Sequence, residues 1–348
     1  MKKTISILLA LVMASTFVSG AFAISIDEGV DNLRTLWSRD NGPLVDGFDI
    51  DYSYYSPIDN GASADKKYPL VIIMAGALEG LIEGFELTAN GLATWTADEY
   101  QSRFNNGAAF LLIGRAPEES NRYWDSSIIM PAFKAAIDEF IEKNPNVDTD
   151  RIYLVGWCLG GTGSLNLTAM YPDFFAASMI MVPSRAITKG EAEIMKNKPV
   201  WLMACKNDTY VSYDRVVKPS WENLKAAATD PSKIRYTIYD RAPGVTLADT
   251  FRFIDDHDVW TNVAYDMKSG NEKYEGEKTV DGSENEIESP EVISWLNSYT
   301  LEKDNDTSGK LPSKLYRFWY EDFINAHRVF LIKVILRFLD TFGYIDLY

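Results

Sequence analysis

The sequence predicts an α/β fold, a mostly parallel central sheet flanked by helices. Two observations carry this. Tyr68–Met74 (YPLVIIM) and Val200–Cys205 (VWLMAC) are continuous apolar runs rich in branched side chains, the pattern of strands buried on both faces of a parallel sheet. Between such runs stand stretches of helical pattern, and strands alternating with helices build an α/β sheet.

In chain order, the aromatic, alternating segment 47–57 reads as a strand. Strand 68–74 follows, ending in the loop Ala75-Gly76-Ala77-Leu78-Glu79-Gly80. A helix is expected over 91–104, a strand over 108–113, a helix over 128–143 and a strand over 151–155. Further strands are expected at 177–182, 200–205 and 234–239, with helices at 163–171, 218–228 and 290–299. No internal repeat is visible.

The ends of the chain read differently. Residues 1–23 have a basic start (Lys2, Lys3), a short apolar run and the exit Ala21-Phe22-Ala23, the signature of a secretory signal peptide. A secreted or extracytoplasmic location, with attachment at the cell surface as one version, is the expectation. The α/β domain is assigned to 24–300. Within it, the polar and acidic stretch 268–289 reads as a mobile surface insertion. A linker at 301–314 then leads to an apolar, amphipathic C-terminal helix at 315–348. For that helix two readings stand, peripheral attachment to a membrane or docking on this domain or a second copy. Lys333, Arg337 and Asp340 inside the run argue against a spanning helix.

The 348 residues carry a net charge of −16, which becomes −18 when Lys2 and Lys3 leave with the leader. An acidic surface of this kind argues against nucleic acid as a partner. Only Cys158, Cys205, His257 and His327 represent their residue types, so a histidine-rich metal cluster is excluded and neither metal nor cofactor is expected.

Val155-Gly156-Trp157-Cys158-Leu159-Gly160-Gly161 joins a strand to a helix through G-x-C-x-G-G. This is the nucleophile-elbow pattern with cysteine in the serine position. Glycines flank the nucleophile because it sits in a strained turn where side chains collide. The turn also puts Cys158 at a helix N-terminus, where free N–H groups and the macrodipole favour a thiolate. An acid and a base follow in the order the motif requires: Asp208, just past the strand VWLMAC, and His257, in DDHDVW. Each has a bland alternative, an ordinary turn aspartate and a solvated histidine among acids. Cysteine would attack, histidine would relay the proton and aspartate would hold the imidazole tautomer.

An even cysteine count in an exported protein also admits one disulfide. Trp124 and Trp157 are read as packing residues rather than as parts of the site.

Over residues 47–296 the chain resembles secreted α/β-hydrolases of the esterase and predicted-peptidase type, a group that includes polyhydroxybutyrate depolymerases and feruloyl esterases. DTDRIYLVGWCLGG, YPDFFAAS, KNDTYV, HDVWTNVAYD and the SWL around Trp295 carry the resemblance. The elbow GWCLGG is also similar to that of dienelactone hydrolases, in which cysteine is the ordinary nucleophile. The resemblance implies an α/β-hydrolase fold and a triad of Cys158, His257 and Asp208. It implies an oxyanion hole of backbone N–H groups from Leu159 and Ala77. In the sheet order that the resemblance implies, one strand lies between those of Cys158 and Cys205, and the gap of about 10 Å exceeds the α-carbon span of about 7 Å that a disulfide tolerates, so both thiols are expected free. Ala75-Gly76 departs from the His-Gly usual in that loop, and Glu79 matches a family glutamate. The implied activity is cleavage of a carboxylic ester through a thioester acyl-enzyme. The substrate would be a small molecule, a polysaccharide ester or a polyester. A peptidase, or an inactive surface or binding protein of the same fold, is the alternative.

Overall fold

The computed structural model describes residues 35–76, 94–116, 124, 129–240, 256–257, 259–260, 277–288 and 291–301. The leader 1–23, Ala77, Glu79 and the tail from 302 onward lie outside the described residues.

Nine strands form one sheet: β1 (Ser38–Asn41), β2 (Asp51–Tyr55), β3 (Tyr68–Met74), β4 (Phe110–Gly114), β5 (Val147–Trp157), β6 (Ala177–Met181), β7 (Val200–Cys205), β8 (Ile234–Tyr239) and β9 (Lys278–Asp281). Their spatial order is β1-β2-β4-β3-β5-β6-β7-β8-β9. The six strands from β4 to β8 are parallel, and β1, β2 and β9 run antiparallel at the two edges. Among the described residues six α-helices accompany them: α1 (Asp98–Gln101), α2 (Met130–Lys143), α3 (Leu159–Met170), α4 (Lys189–Ile194), α5 (Lys218–Ala227) and α6 (Val292–Asn297).

Side chains alternate across a strand, and the apolar runs therefore feed two cores. Val71, Ile73, Leu111, Ile113, Tyr153 and Val155 face one core, which Trp221 of α5 and Ile293, Trp295 and Leu296 of α6 close. Leu70, Ile72, Phe110, Leu112, Ile152 and Leu154 face the other, closed by Phe133, Ala136, Ile137 and Phe140 of α2. Burial on both faces is why these strands lack a polar alternation.

Strand order fixes where a ligand can lie. From β3 the chain moves outward to β4, and from β5 it moves the opposite way to β6. The crevice at the carboxyl ends of β3 and β5 is thus the topological switch point, where open α/β sheets hold their ligands.

Several expectations change. Helix α3 begins at Leu159, not 163, because the glycines of the elbow belong to its first turn. Strand β5 extends from Val147 to Trp157, beyond the expected 151–155. The stretch 268–289 is not wholly a mobile insertion: Lys278–Asp281 pair with β8 and Val280 is 4% exposed. Thr279 and Val280 are the buried positions of this edge strand; residues 268–276 and 289 of that stretch lie outside the described residues. Among the described residues, no helix is long and apolar enough to cross a membrane.

Candidate active site

Cys158 sits between β5 and α3 with φ 55° and ψ −122°. Such a conformation is costly for a residue with a side chain and is held only by its surroundings. Three close approaches hold it. A Cβ on Gly156 would lie 2.3 Å from the Gly160 carbonyl oxygen, one on Gly160 would lie 2.0 Å from that of Met74, and one on Gly161 would lie 2.3 Å from that of Met181. The glycine pattern is therefore a steric requirement of wedging α3 between the ends of β3 and β6. The Cys158 N–H donates to the Met181 carbonyl at 3.0 Å, and the Cys158 carbonyl accepts from Thr162 N–H at 3.1 Å. Thr162 Oγ1 accepts from Ser184 N–H at 2.8 Å, tying the first turn of α3 to the loop after β6. In that loop Val182, a β-branched residue, takes a φ of 38°, a second strained backbone position beside Cys158.

Asp208 lies three residues beyond β7, its side chain 1% exposed. Its Oδ1 accepts backbone N–H groups of Tyr210 at 2.7 Å and Val211 at 2.9 Å, an Asx-type turn that fixes the carboxylate. The other oxygen, Oδ2, lies 2.7 Å from His257 Nδ1. Asp208 is thus a turn residue and an imidazole partner at once.

His257 has its Nε2 buried and without a hydrogen bond. Burial alone would lower its pKa. The charges of Asp208 and then Cys158 outweigh that and hold it well above 6.5. Cys158 is among the groups that raise it, which puts the three residues expected from the sequence in one neighbourhood. The Tyr210 ring lies 5.2 Å from the imidazole; its contribution had no signal in the sequence beyond its place after Asp208.

Leu159, the expected oxyanion donor, is the first residue of α3, and N–H groups there lack an intrahelical acceptor. The second expected donor, Ala77, lies outside the described residues, although Ala75 and Gly76 reach the same edge. Neither Cys158 nor Cys205 is in a disulfide. Cys205 is fully buried and its thiol donates to the Asp240 carbonyl at 3.4 Å. Trp157 packs, as expected, and does so against Trp260, three residues past His257, with ring centroids 4.6 Å apart and planes at 17°. Trp124 is 2% exposed and packs on Phe133. Among the described residues no group of three or more His, Cys, Asp or Glu side chains is arranged to hold a metal ion.

Among solved structures, the chain is similar to a thermostable esterase with a TM-score of 0.58 and 20% identity, over 77% of this chain and 64% of that one. The chain has the α/β-hydrolase fold. The Dienelactone hydrolase family matches residues 116–238, a span that holds the elbow and Asp208 and stops short of His257. Protein usf of Aquifex pyrophilus is 31% identical over 94 residues, covering 26% of this chain and 40% of that protein. An acylaminoacyl peptidase of Pyrococcus horikoshii superposes with a TM-score of 0.44 and 13% identity over 59% of this chain and 37% of its own. The chain therefore spans less than two thirds of the length of each of these relatives.

Proposed function

We propose that this chain is an exported hydrolase that cleaves carboxylic esters through a thioester on Cys158. The observation that carries the reading is the arrangement around His257. Nδ1 is engaged by Asp208 at 2.7 Å, and the opposite nitrogen is buried and unengaged on a ring that also feels the charge of Cys158.

The residues support the following chemistry. Cys158 passes its thiol proton to His257 Nε2, and Sγ attacks the substrate carbonyl carbon, whose π electrons move onto oxygen. The Leu159 N–H, with a donor from the loop after β3, stabilises that oxyanion. As the tetrahedral centre collapses, the C–O bond to the alcohol breaks and His257 Nε2 gives the departing oxygen its proton. A water then loses a proton to Nε2, its oxygen attacks the thioester, and the sulfur leaves to give the acid and free Cys158. Asp208 keeps the ring in the tautomer that presents Nε2. Both the dienelactone-hydrolase match across the elbow and the named activity of the esterase that shares the fold support a hydrolase reading.

Turnover of p-nitrophenyl acetate by the full chain under reducing conditions tests the proposal. Loss of turnover in both Cys158→Ala and His257→Ala is the expected result; retention in either defeats the assignment.

A further inference from the structure

Nucleophile and acid are each held by their own backbone, but the base is not. Cys158 is locked by the elbow and Asp208 by its turn, whereas His257 belongs to a separate stretch of chain. Its hydrogen bond to Asp208 fixes one atom of the ring, and the Tyr210 ring, 5.2 Å away, comes from the same loop as Asp208, so both contacts hold the acid's side of the imidazole. A second anchor is needed to aim Nε2 at sulfur.

Trp260 provides that anchor. It is fully buried, and its indole stacks on Trp157 at 4.6 Å and 17°. On another side it meets Trp95 at 5.7 Å and 32°, and Trp95 in turn packs on Phe104 at 6.3 Å. Trp157 is bonded directly to Cys158, and Val259 N–H donates to the His257 carbonyl at 3.0 Å, tying the residue before Trp260 to His257. One rigid contact between two indoles therefore links the residue beside the nucleophile to the turn that carries the base. Aromatic pairs of this kind contribute about 0.5–1.5 kcal/mol each beyond their burial, enough to favour one position of a short turn.

We infer that the Trp95–Trp260–Trp157 stack sets the approach of His257 to Cys158, and that Trp260 is a positioning residue for the base. Its kinetic consequence rests on the proposed roles of Cys158 and His257; its geometric consequence does not. Displacing a reacting group by about 1 Å costs on the order of 100-fold in rate, and an aliphatic side chain at 260 would leave the turn without its seat.

The test uses full-chain Trp260→Leu and Trp260→Phe, read by p-nitrophenyl acetate kinetics and by the imidazole NMR titration of His257, with His327→Gln separating the two histidine signals. Trp260→Leu is expected to lose about 100-fold in kcat with little change in KM, and its His257 midpoint should fall as the ring leaves its charged neighbours. Trp260→Phe, with a smaller aromatic face than the indole, should stand between Trp260→Leu and wild type in both. A folded Trp260→Leu with wild-type kcat and wild-type His257 titration overturns the inference. Should Trp260→Leu fail to fold, Trp260→Phe decides: a lowered kcat with a lowered His257 midpoint supports the inference, and identity with wild type in both overturns it. If the wild-type chain shows no turnover, the titration stands alone. A midpoint lowered by Trp260→Leu then supports the stack while the hydrolase reading fails, and an unmoved midpoint overturns the stack as well.

Discussion

Asp208 binds its own loop with one carboxylate oxygen and His257 with the other, the latter at 2.7 Å. This division lets a single residue fix both its own carboxylate and the tautomer of the His257 ring. It also separates structural from chemical consequences of substitution.

Asp208→Asn should keep the loop, because the amide oxygen still accepts from Tyr210 and Val211. The amide nitrogen then faces Nδ1 and donates to it, forcing the proton onto Nε2, which can no longer accept one. A loss on the order of 10⁴-fold in kcat is expected, with little change in Tm. Asp208→Ala should in addition destabilise the protein by about 1–3 kcal/mol, through the two backbone N–H groups it leaves without a partner. Chemical denaturation and steady-state kinetics of the pair check both statements.

The pKa of His257 is raised above 6.5 against the effect of burial, by Asp208 and then by Cys158. A raised folded-state value means that the linked stability is fully present below pH 6.5 and is lost as pH rises through the raised value. In Cys158→Ala one of the groups that raise it is gone, so the His257 midpoint should fall and the alkaline loss of stability should be smaller and complete at lower pH. Imidazole titration by NMR, paired with Tm measured from pH 5 upward in about half-unit steps, reads both shifts.

Gly160→Ala should be among the most damaging small substitutions available. The added methyl group would lie 2.0 Å from the Met74 carbonyl oxygen and 2.5 Å from that of Ala75, both backbone atoms of the edge that forms the crevice. Overpacking of this kind costs about 1–3 kcal/mol or more, and any relief must move α3 or the loop after β3. Reduced denaturation midpoint together with loss of turnover is expected, whereas Gly107→Ala, with open space around the added atom but a φ of 85°, should affect stability alone.

Thr188→Ala serves as a contrast away from the chemistry. Thr188 and Glu191 form a capping box at the start of α4, and Glu191 is paired with Arg185 at 2.7 Å. A loss of about 1 kcal/mol in stability is expected from the missing cap, with kcat unchanged.

Long apolar runs made the parallel sheet legible: β3, β7 and β8 have the bounds their branched residues imply. Elements with little apolar content were hidden. β1 is SRDN with every residue exposed, and β9 lies in a charged stretch with Val280 as its only strongly apolar residue. Both exist because a neighbouring edge offers hydrogen bonds, which leaves no mark in their own residues. Helix α4 did leave a mark, the T-x-x-E of Thr188 to Glu191, which is a capping-box signature. Cys158, Asp208 and His257 were singled out by chain order and local motif, and His257 does lie 2.7 Å from Asp208. The pairing of Trp157 with Trp260 was not, since it joins residues about a hundred positions apart through packing alone.

The central claim is that Cys158 forms the acyl-enzyme. The most direct measurement is rapid acid quench of the full chain with p-nitrophenyl acetate during the first turnover, followed by mass spectrometry of the peptide that contains Cys158. An acetyl group on Cys158 that forms and decays at rates consistent with kcat, and that persists longer in His257→Ala once formed, is the predicted result. Turnover without acetylation of Cys158, or turnover undiminished in Cys158→Ala, would contradict it.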